Sequence, residues 1–525
     1  MSGMIHRVRF ALWNFARKHP LSGTPIKWFG KYSTRNFERN HALRMVGMGQ
    51  KLFPKSRYMR KMAESVQCIL LLGSQSSAED ADSIDMFLNH LGIPYWKAPN
   101  YISLSSLEEG QHLLIAAGCN YDELAACQEY AIQNRGVVFA LPGLMGYRGG
   151  SDCLYTFDFS AEEFLPYREG LRSERASQVI SALIKQEQVL IMSCFLPPLV
   201  GLRVDDVRGI NTRGWLDIIL GFGWRPNLGI FINDVEENAS TSIPNLTDRA
   251  YEKLIDVSPH ALSADRFLFF DYPRGRAFTK VEFSALWKEV IAFYAKWDLS
   301  MSSVLNAHFH AISSSSYELL HKAGVRYNFS ELAPDFSIII PSADYLPSGD
   351  PICCTGTCRG EGPMQIFSGD SAQDCNQPSS LYDFMMHAPS TNKVIGIARR
   401  LVKRLSLSLR TGFAAFATTH EYLLESLSKD EQSQLWAKVD ELLLEVCPKS
   451  TKVSMADIGR MCENHTHVQI ERVTCTARGW YVHLSGQCRG VYSLSVLGKG
   501  KITSVDIQPF QGEHEVEVRN EQVYR

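Results

Sequence analysis

The sequence has no run of 18 or more consecutive apolar residues, an absence that argues against a transmembrane helix. It also has no signal-peptide core, because Arg7, Arg9, Arg17 and Lys18 interrupt the first apolar residues. We therefore expect a cytoplasmic protein.

The 13 cysteines include no Cys-x2-Cys pair, the spacing typical of structural zinc sites. Their odd number and scattered positions favour reduced thiols, most of them small core residues, over a disulfide framework. Some cysteines cluster in residues 344–380, a stretch rich in Gly, Pro and Ser that is typical of a lid or a disordered loop. A zinc site there is the alternative, with Cys353, Cys354, Cys358 and Cys375 as its candidate ligands.

The chain has almost no net charge, with a formal value of −2, and this excludes bulk attraction to nucleic acid. Acidic residues are nearly missing from residues 1–62, where 14 Lys or Arg accompany the single acid Glu38. We interpret this segment as a basic arm. Residues 4–18 have loosely helical apolar spacing, which fits a helix on the inner face of an anionic membrane and equally a helix packed on its own protein.

A chain of 525 residues suggests about three domains. After the arm we predict a small parallel α/β domain at 63–174, a larger α/β domain at 175–447 and an antiparallel β module at 448–525. The module is predicted from alternating apolar and polar residues after 451. Trp480 and Tyr481 of this module could bind sugar or belong to its core.

Strands alternate with helices in residues 66–141, which predicts a small parallel sheet. The pattern resembles flavodoxin-like and class I glutamine-amidotransferase-like domains, and it places Cys119 where such a scaffold could hold a nucleophile. Neither a Gly-rich elbow nor a suitably spaced His–acid pair accompanies Cys119, so we interpret it as structural.

Alternation over about 250 residues predicts a (β/α) barrel, complete or with strands missing, for the larger domain. A mixed open sheet is the alternative. The predicted strands and helices lie at 175–188 (helix), 189–192 (strand), 228–232 (strand), 247–254 (helix), 267–270 (strand), 280–297 (helix), 304–305 (strand), 392–407 (helix) and 428–446 (helix). The last of these opens with the capping box Ser428-Lys-Asp-Glu431.

Two adjacent aspartates, Asp205 and Asp206, follow the apolar run 189–192 in Gly-Leu-Arg-Val-Asp-Asp-Val-Arg-Gly. The carboxyl ends of parallel strands are where ligands bind in α/β folds, and paired acids there can divide metal binding and proton transfer. A pair that merely opens a loop and caps a helix is the alternative.

Histidines follow further apolar segments, so that they can converge with the aspartates at one end of the sheet. They are His260, His308, His310 and His420. Residues two apart on a strand point to the same side, so His308 and His310 can bind one ion. Imidazoles with a carboxylate are the usual ligands of zinc or a similar divalent metal.

These motifs resemble those of metal-dependent polysaccharide deacetylases. Leu-Arg-Val-Asp205-Asp206 resembles the first motif, which implies that Asp205 is the catalytic base and Asp206 a metal ligand. Ser-Pro-His260-Ala-Leu-Ser is similar to the second motif, with a metal-binding His, and Phe-Ala-Thr-Thr-His420-Glu to a late motif whose His is the general acid. The resemblance covers roughly residues 190–445 and implies a barrel of the deacetylase type.

The sequence also departs from the family at two motifs. Ala264 stands where the second motif has another His, so Asp265 or the pair His308 and His310 must complete the metal site; we prefer the pair. The arginine of the third motif is not plainly present, and Arg274 and Arg276 are weak stand-ins. For substrate binding we predict Arg203, Arg208 and Arg274.

The resemblance implies a zinc-dependent hydrolase that removes an acetyl or formyl group from the nitrogen of an amino sugar. Its expected substrate is a glycan or lipid-linked sugar of a cell-surface polysaccharide such as O-antigen or exopolysaccharide, met at the inner membrane face through the basic arm. A glycan-binding or scaffold protein without turnover is the alternative, favoured by Ala264. Amidotransfer through Cys119 is a third hypothesis.

Overall fold

The computed structural model describes residues 67–98, 113–141, 154–157, 174–185, 189–193, 198–330, 364–367, 393–410 and 415–521, with short gaps inside several of these ranges. The basic arm at 1–62 and the four clustered cysteines lie outside the described residues. The described residues form two compact units, one made of 198–409 with 415–462 and the other of 67–193 with 463–521. Within these ranges, no helix combines the length and the apolar character needed to cross a membrane.

The first strands of the chain form the parallel sheet predicted from strand–helix alternation. Its described strands lie side by side in the order β2-β1-β3-β4-β5, the order of flavodoxin-like folds. They are β1 (Cys68–Leu72), β2 (Tyr95–Ala98), β3 (Leu113–Ala117), β4 (Val137–Leu141) and β5 (Leu154–Thr156). Between β1 and β2 the described positions 80, 84, 87, 88 and 91 are helical, as the alternation of strands and helices predicts.

Helix α1 (Tyr121–Asn134) follows β3 and begins where the sequence provides a capping box. The Asn120 side chain accepts a hydrogen bond from the Glu123 N–H, and the Glu123 carboxylate accepts one from the Asn120 N–H. Helix α2 (Glu174–Lys185) and strand β6 (Leu190–Met192) come next along the chain.

The unit that begins at residue 198 contains two parallel sheets. One joins β13, β7, β8 and β9 side by side, with β14 also paired to β7, and the other joins β10, β11 and β12. Their bounds are β7 (Leu199–Val207), β8 (Pro226–Phe231), β9 (Asp256–Ala261), β10 (Val304–Leu305), β11 (Tyr327–Ser330), β12 (Met364–Phe367), β13 (Ala415–His420) and β14 (Thr451–Lys452). The α/β class with parallel strands is confirmed, whereas closure into a barrel is not confirmed by these pairings.

Helices follow the strands of this unit, as in other α/β folds. They are α3 (Thr212–Gly221), α4 (Ile232–Glu237), α5 (Ala239–Thr247), α6 (Lys280–Lys296), α7 (Tyr317–Lys322), α8 (Lys393–Arg410), α9 (Glu421–Glu425), α10 (Lys429–Val446) and α11 (Met455–His467), the last continuing beyond the unit. The capping box predicted at Ser428 is confirmed, since its hydroxyl accepts from the Glu431 N–H.

Two predicted elements of this region are wrong, and a third is present but differs in its role. The run 189–192 contains a strand as predicted, but this strand does not carry the aspartates, because β6 ends at Met192 and β7 begins at Leu199. The α-helix expected at 247–254 is not formed at the described positions after Thr247, because the preceding helix α5 ends at that residue. The expected strand at 267–270 is an irregular segment whose aromatic side chains are buried without strand pairing, for example Phe269 against Trp287 of α6. A short apolar run indicates burial and does not by itself specify a strand.

The C-terminal residues form the predicted antiparallel strands. They are β15 (Val468–Thr476), β16 (Gly479–Cys488), β17 (Tyr492–Gly498), β18 (Lys501–Ile507) and β19 (Phe510–Arg519). One sheet has the order β15-β16-β19 and the other β18-β17-β6. Trp480 is partly buried against the core between the strands, which favours the core role over sugar binding. The domain boundaries stay predictions, although β6, which we placed in the larger domain, pairs with β17.

Candidate metal and active site

The two aspartates lie where strand β7 departs from regular pairing. The register between β7 and β8 shifts between Val204 and Val207, so the regular pairing with β8 is interrupted at Asp205 and Asp206. Asp206 has a positive φ of 56°, a conformation that residues other than glycine rarely adopt and that is concentrated at functional sites.

Asp205 is buried and held by an arginine from its own strand. The Arg203 guanidinium donates from Nε to Asp205 Oδ1 at 2.8 Å and lies 2.7 Å from Oδ2 through its terminal nitrogen. It also donates to the carbonyl oxygens of Phe329 and Ala307. Burial alone would raise the pKa of Asp205, but Arg203, helped by His260, outweighs it and lowers that pKa, so the carboxylate is ionised at neutral pH.

His260 lies at a second irregularity, at the end of strand β9. The β8–β9 register shifts between Ile230 and Phe231, which leaves His260 between the paired residues Pro259 and Ala261. The imidazole is 2% exposed, and its Nδ1 lies 2.6 Å from the Asn306 carbonyl oxygen. A carbonyl oxygen only accepts, so Nδ1 carries the proton and the lone pair of Nε2 is available.

His308 faces His260 from beyond the end of strand β10. This strand ends at Leu305, so the extended geometry that we expected through His308 and His310 is wrong for His308, and His310 lies outside the described residues. The His308 ring packs between Phe231 and Phe267. Burial, followed by the neighbouring His260, lowers the pKa of His308 to about 3 and so keeps its imidazole neutral at pH 7.

Asp206, His260 and His308 bring their ligand atoms together. Asp206 Oδ1 lies 3.2 Å from His260 Nε2 and 3.6 Å from His308 Nδ1, and the two ring nitrogens are 2.6 Å apart. Asp206 Oδ1 is buried and accepts no hydrogen bond from the described part of the chain.

This set of atoms fits a divalent metal ion. Ligand atoms held about 2 Å from a zinc ion lie roughly 3 Å from one another, close to the separations seen here. One carboxylate and two imidazoles suit zinc or a similar ion and leave other coordination positions open. A buried carboxylate oxygen without a donor is the kind of atom that a cation would satisfy.

His420 and Glu421 end strand β13 beside the aspartates. His420 is the β-sheet neighbour of Asp205 in the register of β13 and β7. Burial lowers the pKa of His420, against the opposing effect of Asp206 and Asp205. Glu421 does not orient His420 through a described hydrogen bond; its buried carboxylate accepts from the Arg208 N–H and the Thr212 hydroxyl, which ties the end of β7 to α9.

The three arginines predicted to bind substrate lie in different surroundings. Arg203 is 1% exposed and its guanidinium is directed at Asp205, so the structure places it inside the protein and not at a substrate-facing surface. Arg208 is half exposed and pairs with Asp234 through Nε at 3.2 Å. Arg274 is also largely exposed and pairs with Asp271.

Two contacts that hold the site residues in place were not predicted from the sequence. The link between Arg203 and Asp205 could have been found, because residues two apart on a strand point to the same side. The carbonyl of Asn306 could not, since every residue has a carbonyl and only the fold decides which one meets His260.

No protein-family model and no curated protein matches the chain. Among solved structures, the chain is similar to a candidate polysaccharide deacetylase from Mycobacterium smegmatis, with a TM-score of 0.35, 10% identity, and coverage of 51% of this chain and 91% of that one. It is similar to a candidate glycoside hydrolase/deacetylase from Parabacteroides distasonis, with a TM-score of 0.37, 11% identity, and coverage of 63% and 89%. It is also similar to the chitin deacetylase of Colletotrichum lindemuthianum, with a TM-score of 0.29, 15% identity, and coverage of 50% of this chain and 88% of that one.

Proposed function

We propose that this protein is a metal-dependent hydrolase that removes an acetyl or formyl group from the nitrogen of an amino sugar. The observation that carries the proposal is the convergence of Asp206, His260 and His308 within 4.8 Å of one another, next to the buried and ionised Asp205. The motif resemblance to polysaccharide deacetylases supports an N-acylated sugar as the substrate class.

Each group near the proposed metal has a separate task. Asp206 Oδ1, His260 Nε2 and His308 Nδ1 would hold the ion. When bound, a divalent ion supplies Lewis acidity to an acyl carbonyl and to an attacking water molecule. Asp205 accepts the proton of that water at a carboxylate oxygen, and Arg203 keeps this carboxylate ionised and fixed in orientation.

His420 supplies the proton that the departing amine requires. Burial lowers its pKa, so the ring is neutral at rest at pH 7 and must take up a proton before it can donate one. The proton that Asp205 accepts from water is the source: it passes to His420, which gives it to the amine nitrogen as the bond between that nitrogen and the acyl carbon breaks. The position of His420 beside Asp205 in the neighbouring strand puts both groups at the same end of the sheet. Arg208 and Arg274, with exposed side chains, are the arginines we retain for substrate binding.

The setting we propose is cell-surface polysaccharide biosynthesis in the cytoplasm. The substrate would be a glycan or lipid-linked sugar of O-antigen or exopolysaccharide, and the basic arm at 1–62 would hold the enzyme at the inner membrane face. Zinc is the metal we expect from one carboxylate and two imidazoles. Nucleic acid is not an expected partner.

The proposal is tested by measuring acetate release from N-acetylated amino-sugar oligosaccharides in the presence of zinc. Asp205→Asn should retain bound metal and lose at least about 100-fold in kcat, as expected for removal of a general base. Asp265→Asn is the matched control: Asp265 is exposed, accepts from the Ser263 hydroxyl and is outside the Asp206–His260–His308 cluster. Full turnover by Asp205→Asn would contradict the proposal.

The alternative function, glycan binding without turnover, was favoured by Ala264 at the position of the second motif histidine. His308 now provides a second imidazole from another part of the chain, which weakens that objection. Oligosaccharide binding that is independent of metal and unaffected by Asp206→Asn would favour the alternative.

A further inference from the structure

A cluster of buried polar side chains lies inside the strands that carry the metal-site residues. Asn227 on β8 and Asn306, just after β10, are fully buried, and so is Ser258 on β9. Ser302, before β10, is nearly so. Buried polar groups at such positions destabilise a fold unless they hydrogen-bond one another, so the cluster requires a reason.

Asn227 is the centre of the cluster. Its amide nitrogen donates to the hydroxyl oxygens of Ser258, at 2.9 Å, and Ser302, at 3.2 Å. Its Oδ1 accepts from the side-chain amide of Asn306 at 2.5 Å. Ser258 in turn donates to the Val304 carbonyl and Ser302 accepts from the Val304 N–H.

The number of available protons sets the direction of these bonds. Both Asn227 amide protons are directed at the two serines, so Oδ1 is left as an acceptor for Asn306. The Ser258 hydroxyl lies 3.1 Å from this Oδ1 and 2.6 Å from the Val304 carbonyl oxygen, and its single proton goes to the closer carbonyl. Asn306 is thereby fixed through its side chain, and its main-chain carbonyl accepts from His260 Nδ1. The path from Asn227 to His260 therefore contains only one residue, Asn306.

We propose that Asn227 is a positioning residue for the metal site: by fixing Asn306, it selects the His260 tautomer with its proton on Nδ1 and directs Nε2 towards Asp206 and His308. The inference rests on the proposed function, because it assigns Asn227 a role in the metal binding of that same site. Partners that orient a ligating imidazole in this way typically change metal affinity by 10–100-fold. Asn227 itself contacts neither substrate nor metal and is not a catalytic residue.

The experiment compares Asn227→Ala, Asn306→Ala and the double variant. Asn306→Ala keeps the carbonyl that His260 uses and removes the side chain that Asn227 holds. Zinc affinity is measured by competition with a chelator, and the His260 tautomer by ¹⁵N NMR of the metal-free protein. Asn464→Ala is the matched control, since Asn464 is a buried asparagine of the other compact unit that accepts from the Arg489 N–H.

Each single variant should weaken zinc binding by about 10–100-fold. The double variant should bind zinc about as weakly as the single variant with the lower affinity, because both side chains act through one path. The metal-free protein should have the His260 proton on Nδ1, and the variants should show a mixture of tautomers. Asn464→Ala should bind zinc within about twofold of the natural protein, a much smaller change than the 10–100-fold expected of the two variants near His260.

The inference is overturned if folded Asn227→Ala and Asn306→Ala bind zinc like the natural protein and keep its tautomer. If Asn227→Ala does not fold, Asn306→Ala decides by the same two readouts. If the natural protein binds no zinc, the proposed function fails, and the tautomer in the metal-free protein still decides whether Asn227 positions His260.

Discussion

Two of the parallel sheets, β1–β5 and the sheet of β7, β8, β9 and β13, have polar residues at the ends of their strands, and the two sheets differ in how these residues are hydrogen-bonded. After β1 and β3 of the first sheet, the Glu123 carboxylate accepts from the N–H groups of Ser74 and Asn120 and from the Ser74 hydroxyl. Cys119 at that end is buried and donates to the Ala117 carbonyl.

At the ends of β7 and β9 of the second sheet, several lone pairs face one another without enough hydrogen-bond donors. Asp206 Oδ1 is buried without a hydrogen bond from described residues, and the ring nitrogens of His260 and His308 face it. Polar residues at strand ends are therefore common to both sheets. What distinguishes the candidate site from a capped helix is a buried carboxylate oxygen that faces two imidazole nitrogens.

The largest effect on stability should come from removing the partner of the buried Asp205. Arg203→Met leaves this carboxylate buried without its guanidinium, so we expect the free energy of unfolding to fall by about 3–5 kcal/mol. Equilibrium unfolding in urea measures this free energy. Arg266→Met removes an exposed pair with Glu289 and should cost about 1 kcal/mol or less. Equal effects of the two substitutions would show that the buried pair is not special.

Replacing buried histidines in the two units should separate a ligand from a structural residue. His260→Ala should lower zinc affinity by more than about 100-fold, the upper end for loss of an outer partner alone. His465→Ala removes a buried imidazole whose Nδ1 lies 2.8 Å from the Ser193 carbonyl oxygen, and should reduce thermal stability while leaving zinc affinity unchanged. Chelator competition and thermal melts distinguish the two, and similar zinc affinities would remove His260 from the site.

A smaller effect is expected from Gly229→Ala on β8. A Cβ at this position would lie 2.8 Å from Asp205 Oδ1 and 3.3 Å from the Asn306 side chain. We expect a loss of about 1–3 kcal/mol in stability together with weaker metal binding, because the added methyl group must displace one of these groups. Gly214→Ala in α3 meets no atom within 4 Å and should be neutral or stabilising. A stable Gly229→Ala with unchanged metal affinity would contradict this packing.

The smallest effect should come from the first sheet. Cys119→Ser replaces one buried thiol by a hydroxyl that can still donate to Ala117, so we expect a stability change of about 1 kcal/mol and no change in metal content or hydrolysis. Loss of hydrolytic activity on this substitution would instead revive amidotransfer through Cys119.

Much of the fold could be predicted because its signals are local. The capping box at Ser428 and the alternation of β15–β19 depend on residues a few positions apart, and both predictions are confirmed. The strand that carries the aspartates was assigned to the wrong run, because Leu190–Met192 is uninterrupted apolar sequence whereas Leu199–Val207 contains Arg203 and both aspartates, and only long-range pairing identifies it as a buried strand.

The side chains of the candidate site could be predicted from the sequence, whereas the backbone features that orient them could not. Asp206, His260 and His308 were expected to converge, and the structure brings them together. Their orientation depends on irregular register at β7 and β9 and on a main-chain carbonyl, features that depend on the completed sheet. Arg203, expected to meet substrate, instead pairs with Asp205 because both project from the same side of β7.

The central claim is that Asp206, His260 and His308 bind a divalent metal ion. Elemental analysis of the purified natural protein and of Asp206→Asn, side by side after exposure to equal zinc, tests it most directly. Asparagine tolerates the positive φ of Asp206 and so should preserve the fold while removing the charged ligand. We predict about one zinc ion per chain in the natural protein, as for a single site with one carboxylate and two imidazoles, and only background metal in the variant. Equal metal in both proteins, or none in either, would contradict the claim.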